Sequence, residues 1–205
     1  MVMLTDMVNW VLAVSDQVLI KFYFDAITLA PYAVSFRIVS MIGIFTGIFL
    51  SYYPVLYFRD LDRGTAKNII MFRRLFFFAL IFMVAILGAT SDYVFMLSGA
   101  SKYLETKDYF YWLLVGEFFR VSAAIFMTYR TFKLQQKYIA LSLLGISIFN
   151  LILNILFLED YGPLVAAYST FASYFLYFII AVLVSYFPEL KYFRDIKHNK
   201  IKNIS

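Results

Sequence analysis

The sequence contains no cysteine, a single histidine (His198), four prolines and eight glycines, and only 15% of its 205 residues are charged. Without cysteine there is no disulfide framework, thiolate metal site or redox pair, and one histidine in a polar tail offers no cluster for zinc. No metal and no cofactor is therefore expected. The Pro and Gly content provides no Gly/Ser linker or low-complexity tract, and no internal repeat is visible, so one domain is the simplest count. No basic stretch precedes the first apolar segment, and Asp6 and Asn9 interrupt it, so a cleaved secretory signal is not expected. Against the scarcity of charge stands a hydrophobic content of 63%, with a mean hydropathy of +0.79. A water-soluble domain of this composition would have no polar surface to show, which leaves the bilayer as solvent.

A span needs about 20 consecutive apolar residues. Uncharged runs of that order occur at Ile38–Phe58, Leu75–Ser91, Tyr138–Leu158 and Tyr161–Pro188. Two further runs, Val2–Phe24 and Tyr109–Tyr129, have the length of a span but contain charge. The runs are continuous rather than alternating in short blocks, which excludes a β-barrel; helices must then satisfy the backbone. The expected fold is an all-α integral membrane bundle of six transmembrane helices, with approximate spans 2–24, 31–58, 70–91, 108–130, 138–158 and 163–187, followed by a basic tail over 191–205.

Lysine and arginine fall on alternate connections. Arg59, Arg63, Lys67, Arg73 and Arg74, then Arg130, Lys133 and Lys137, then Lys191, Arg194, Lys197, Lys200 and Lys202 make up 13 of the 18 cations. The opposite connections carry Asp25, Asp92, Glu105, Asp108, Glu159 and Asp160. The positive-inside rule then predicts that both termini are cytoplasmic. The basic tail reads as an orientation signal with affinity for anionic membrane lipid, not as a nucleic-acid site. Pro31 and Pro163 suit first turns of helices, Pro188 is expected to end the last helix, and Pro54 lies inside a span, where it can kink it. Most of the 17 tyrosines, Tyr52, Tyr53 and Tyr57 among them, read as an interfacial belt.

Five charged side chains fall within or at the ends of the spans: Asp16, Lys21, Arg37, Glu117 and Arg120. Asp6, Asn9, Ala13 and Asp16 recur at spacings of three and four and share a face, with Gln17 beside it. Arg37 and Ser40 lie along a stripe with Gly47 and Ser51, and Gly43 with Gly47 forms a small-residue pair that permits close helix approach. Glu117, Arg120, Ala124 and Thr128 share a third face, and Ser147, Asn150 and Asn154 a fourth. A charged residue facing lipid at a helix centre costs about 2.5–3.5 kcal/mol on insertion scales, so four such faces suggest a bundle around a hydrated cavity. Simpler readings stand beside this one. Glu117 and Arg120 can pair across one turn, Lys21 can snorkel to the interface, and Asn150 and Asn154 can serve as interhelical hydrogen-bonding glue. Arg37 lies on the order of 9 Å past Pro31 at 1.5 Å per residue, with no acid within a turn, and requires a partner such as Asp16 or an anionic ligand.

The stretch Val14–Tyr57, VSDQVLIKFYFDAITLAPYAVSFRIVSMIGIFTGIFLSYYPVLY, resembles the opening of the second half of bacterial polysaccharide exporters, where a Ser-Asp pair, a short external link, a Tyr-Ala start and a late Pro recur. Asn150–Tyr174, NLILNILFLEDYGPLVAAYSTFASY, is similar to that family's Asn- and Tyr-Gly-containing signature, departing from it at Pro163 and Val165. The family is the polysaccharide-biosynthesis branch of the multidrug/oligosaccharidyl-lipid/polysaccharide exporter superfamily, and the resemblance covers its C-terminal half only. It implies one lobe of a two-lobed exporter, a lipid-linked oligosaccharide substrate, a bacterial inner-membrane location, and a complementary N-terminal lobe or a second copy as partner.

On that expectation Arg37, Arg120 and Lys21 are the cavity cations that meet a pyrophosphate head group, since guanidinium suits bidentate phosphate contacts. Asp16 and Glu117 are then counter-ions, or couple transport to a cation. No catalytic residue is expected. Three other readings stay open: a multidrug or other cation-coupled exporter of the same superfamily, a membrane enzyme of envelope glycan assembly, and a non-transporting remnant subunit. The embedded cations Lys21, Arg37 and Arg120 match the acids Asp6, Asp16 and Glu117 in number, so charge count does not separate the two transport readings. An enzyme would need catalytic carboxylates or histidine on sizeable loops, and the connections here are short.

Overall fold

The structure, a computed structural model, describes residues 14–63 and 65–202. These residues open with helix α1 (14–23). There follow α2 (Ala26–Asp62), α3 (Lys67–Ala89), a short α4 (Ser91–Leu97), a 3-10 segment (Ser101–Thr106), α5 (Asp108–Phe132), α6 (Gln136–Tyr161) and α7 (Leu164–Ala181). A π-helical segment, Val182–Tyr186, joins α7 to α8 (Phe187–Lys202). No strand occurs among the described residues. Among the described residues, five helices are long and apolar enough to cross a membrane: α2, α3, α5, α6 and the continuous run Leu164–Asp195. The chain is a multi-pass helical membrane protein. Residues 2–13 of the first expected span, 2–24, lie outside the described residues; of its described part, residues 14–23 are helical.

The helix limits differ from the expected spans at Pro31 and Pro188, whereas Pro163 stands at the start of α7, one residue before Leu164. α2 begins five residues before Pro31, because Asp25 caps it: the Asp25 Oδ1 accepts from the Thr28 amide at 2.7 Å. A side-chain acceptor at the cap satisfies an amide that the helix cannot, so capping, not the preset φ of proline, sets the start. Pro31 and Pro54 both lie inside α2. Pro188 does not end the last helix, which runs on through it to Lys202. An α-helical amide at position 188 would serve the Val184 carbonyl, and proline has none; the Arg130 guanidinium donates to that carbonyl oxygen instead. This acceptor lies within the π segment, where the ladder is already shifted.

α5 is the central helix. Buried residues make up 61% of its membrane-length stretch, against 22% of that of α3. α2 and α7 run parallel to α5, from an acidic end marked by Asp25, Asp108 and Glu159 to a basic end marked by Arg63 and Lys133; α3 packs antiparallel, and α6 lies against α7. The α5–α7 contact is the tightest. A Cβ built on Gly116 would lie 3.3 Å from the Phe171 Cα, so any side chain there would push the two helices apart by a few tenths of an ångström, and Ala166, Ala167 and Ser173 on α7 are likewise small and buried. Trp112 meets Tyr168 and Phe171 edge-on along the same seam. The pair expected to bring another helix close is split: Gly43 abuts α5, whereas nothing lies within 4 Å of a Cβ at Gly47. The outer face of α3, with Leu75, Phe78, Ile81 and Phe82 exposed, is the surface that suits lipid.

Outside the spans, Lys107 donates to the Asp92 carboxylate across the short α4 connection, and this hydrogen bond raises the Lys107 pKa. At the other connection, the Thr28 backbone amide holds the Asp25 carboxyl below its usual value.

Candidate functional site

Three polar constellations lie within the bundle. The first centres on Asp16, 1% exposed on α1. Tyr32 of α2 donates to its Oδ2 at 2.6 Å, Thr170 of α7 donates to the same oxygen, and Asn154 of α6 donates to Oδ1 at 2.7 Å. Asn150 and Ser169 extend the network: Ser169 donates to Asn154 Oδ1 at 2.8 Å, and both Asn154 to Asn150 and Asn150 to Ser169 are 3.3 Å. One carboxylate thus ties four helices together through neutral donors. The structure therefore corrects the expected pairing of Asp16 with a cation. No arginine or lysine reaches Asp16 among the described residues, because its two oxygens face α2, α6 and α7 while Arg37 points out of the bundle.

The second constellation is Glu117 with Arg120 on α5. The Arg120 Nε donates to Oε2 at 2.6 Å and its Nη2 to Oε1 at 2.5 Å, a two-pronged ion pair within one helical turn. Gly43 of α2 leaves room for it: a Cβ there would lie 3.6 Å from both Arg120 Nη2 and Glu117 Oε1. The pair lines a cleft of about 220 Å³ between α2, α5 and α7, together with Phe36, Ser40, Thr170 and Tyr174 among others. A second cleft of about 210 Å³ continues toward the basic end, lined by Arg120, Ala124, Thr128, Thr131 and Tyr177. Arg120 borders both.

Arg37 is exposed on α2, one turn before Ser40, and no carboxylate lies within ion-pair distance of it among the described residues. Lys21 is exposed in the last turn of α1, a position from which its stem can carry the ammonium toward the acidic-end interface. The seven sequence-derived residues therefore separate into three groups. Asp16, Asn150 and Asn154 share one buried network, Glu117 and Arg120 form one pair at a cleft, and Arg37 and Lys21 stand outside both.

The third constellation was not anticipated. Arg73 of α3 donates from Nη1 to Glu189 Oε2 at 2.8 Å and from Nη2 to Oε1 at 2.6 Å. It also donates to the Tyr53 hydroxyl at 3.1 and 2.8 Å, and Tyr57 donates to Glu189 Oε1 at 2.6 Å. Tyr53, Tyr57 and Glu189 are each 0% exposed. Tyr53 and Tyr57 are thus core residues rather than members of an interfacial belt, and Arg73 is an internal cation rather than part of the basic connection. The available signals were the four-residue spacing of the two tyrosines and a lone glutamate at the head of a basic segment.

Compared with protein-family models, with curated proteins and with solved structures, the chain matches none. The class is set by its helices, and the function must be argued from the clefts and charges themselves.

Proposed function

We propose that this chain is one lobe of a flippase that carries undecaprenyl-diphosphate-linked oligosaccharide across a bacterial inner membrane by alternating access, with both termini cytoplasmic. The observation that carries the reading is Arg37: an exposed cation on α2, without an acid among the described residues, one turn before Ser40, which lines the cleft that holds Glu117 and Arg120. An arginine facing hydrocarbon costs about 2.5–3.5 kcal/mol on insertion scales. Protein or an anionic ligand opposite that face removes the cost, and a diphosphate head group suits a guanidinium fork. Ligand pockets usually measure about 300–1,000 Å³, so a cleft of about 220 Å³ takes part of a head group and leaves the rest to a complementary lobe or a second copy. Arg120 engages the diphosphate by exchanging with Glu117, and Lys21 meets it at the acidic-end interface. Asp16, held only by neutral donors, is the carboxylate available to couple the cycle to a cation. The alternating movement is a rocking of the two lobes about the site.

The test is complementation of a flippase-deficient bacterium by this chain, alone and with a first-lobe chain, scored by surface polysaccharide. Rescue that is reduced by Arg37→Ala at unchanged membrane abundance supports the reading. Absence of rescue from well-expressed protein under both conditions rejects it.

A further inference from the structure

We infer that the two clefts along α5 are the water-filled halves of one membrane-crossing pathway, reached from opposite sides and closed at Arg120. The first cleft takes Leu113, Glu117 and Arg120 from α5, and the second takes Arg120, Ala124, Thr128 and Thr131. They therefore run head to tail along one helical face, with Arg120 the α5 side chain common to both. From Leu113 to Thr131 the helix rises about 27 Å at 1.5 Å per residue, close to the roughly 30 Å of hydrocarbon it must cross.

The linings of these clefts differ from those of the grooves between α2 and α3. Ser40, Thr170 and Tyr174 line the first cleft and Thr128, Thr131 and Tyr177 the second, together with the ion pair. The grooves around Phe49 and Phe82 are lined almost wholly by apolar side chains. Each polar cleft is large enough for several waters, and each offers the polar partners that a held water needs. Arg120, with its side chain 33% exposed, is pinned across the junction by its two bonds to Glu117. The inference rests on the flippase-lobe reading for the protein that covers the open side of the clefts, and not for the substrate.

The absence of native cysteine makes the test direct. Single variants Ser40→Cys and Thr131→Cys, one in each cleft, are exposed to a membrane-impermeant charged maleimide from either side of sealed membranes. Ser101→Cys and Arg63→Cys mark the acidic-end and basic-end sides, and Phe78→Cys marks the lipid face. Because the hydrated thiolate attacks the maleimide, the expected result is labelling of Ser40→Cys from the acidic-end side and of Thr131→Cys from the basic-end side, each faster than from the other side by about tenfold or more. Adding Glu117→Ala together with Arg120→Ala, which leaves no orphaned charge, should open both positions to both sides.

Labelling of neither position, or of both from the same side in the parent protein, overturns the inference, and so does a double alanine variant that preserves sidedness. These outcomes do not depend on polysaccharide. The predicted labelling without complementation would reject the substrate and keep the pathway, whereas complementation without it would do the reverse.

Discussion

Glu189 and Arg73 lie 116 residues apart and meet through two parallel N–H···O bonds at 2.8 and 2.6 Å, which fasten α8 to α3 beside two buried tyrosines. Removing one member leaves the other charge buried. Glu189→Ala or Arg73→Ala should therefore destabilise the protein by about 3–5 kcal/mol, while replacing both with apolar residues of similar size, Arg73→Met with Glu189→Leu, should recover most of the loss. Thermal unfolding of the three variants in one detergent checks this; a double variant no better than the singles contradicts it.

Gly116 and Gly47 form a matched pair of probes. Gly116→Ala forces a Cβ to within 3.3 Å of the Phe171 backbone, and spreading α5 from α7 should cost about 1–3 kcal/mol. Gly47→Ala meets nothing within 4 Å and gains helix propensity, so it should be neutral or stabilising by up to about 1 kcal/mol. The measurement is the shift in unfolding temperature, which should have opposite or clearly unequal sign for the two.

Tyr32→Phe keeps the buried ring and removes one of three donors to Asp16. Hydrogen bonds to charged groups contribute about 1.5–3 kcal/mol, and a loss in that range is expected. Tyr109, whose ring stands edge-on to Tyr32 at 6.2 Å, should keep its packing, so near-ultraviolet circular dichroism should change less than unfolding temperature.

Asp25 carries a pH dependence whose sign follows from its cap. The Thr28 amide lowers its folded pKa below the unfolded value of about 3.9, so the ionised form favours the helix start. That contribution is present above the unfolded pKa and is lost as pH falls through the folded one. Amide exchange at Thr28 should accelerate, relative to its intrinsic rate, below about pH 4, and Asp25→Asn should abolish this dependence.

Membrane residence and helical class were legible because they depend on run length and backbone chemistry. In hydrocarbon a chain needs about 20 apolar residues per crossing and must satisfy its amides internally, and both conditions can be read locally. Faces were legible too: three- and four-residue spacings put Glu117 with Arg120, and Asn150 with Asn154, on common sides, where the structure also joins them. Proline misled at Pro31 and Pro188 because the Asp25 cap sets the start of α2 upstream of Pro31, and the distant Arg130 guanidinium supplies the donor that Pro188 lacks.

Partner choice between helices was decided by tertiary structure alone. The helical period fixes which residues share a face, but the rotation and vertical offset of one helix against another come from packing, such as the approach of α5 to α7 at Gly116 and Phe171. That packing gives Asp16 to Asn154, Thr170 and Tyr32 instead of to Arg37, joins Arg73 to Glu189, and leaves Arg37 exposed on α2.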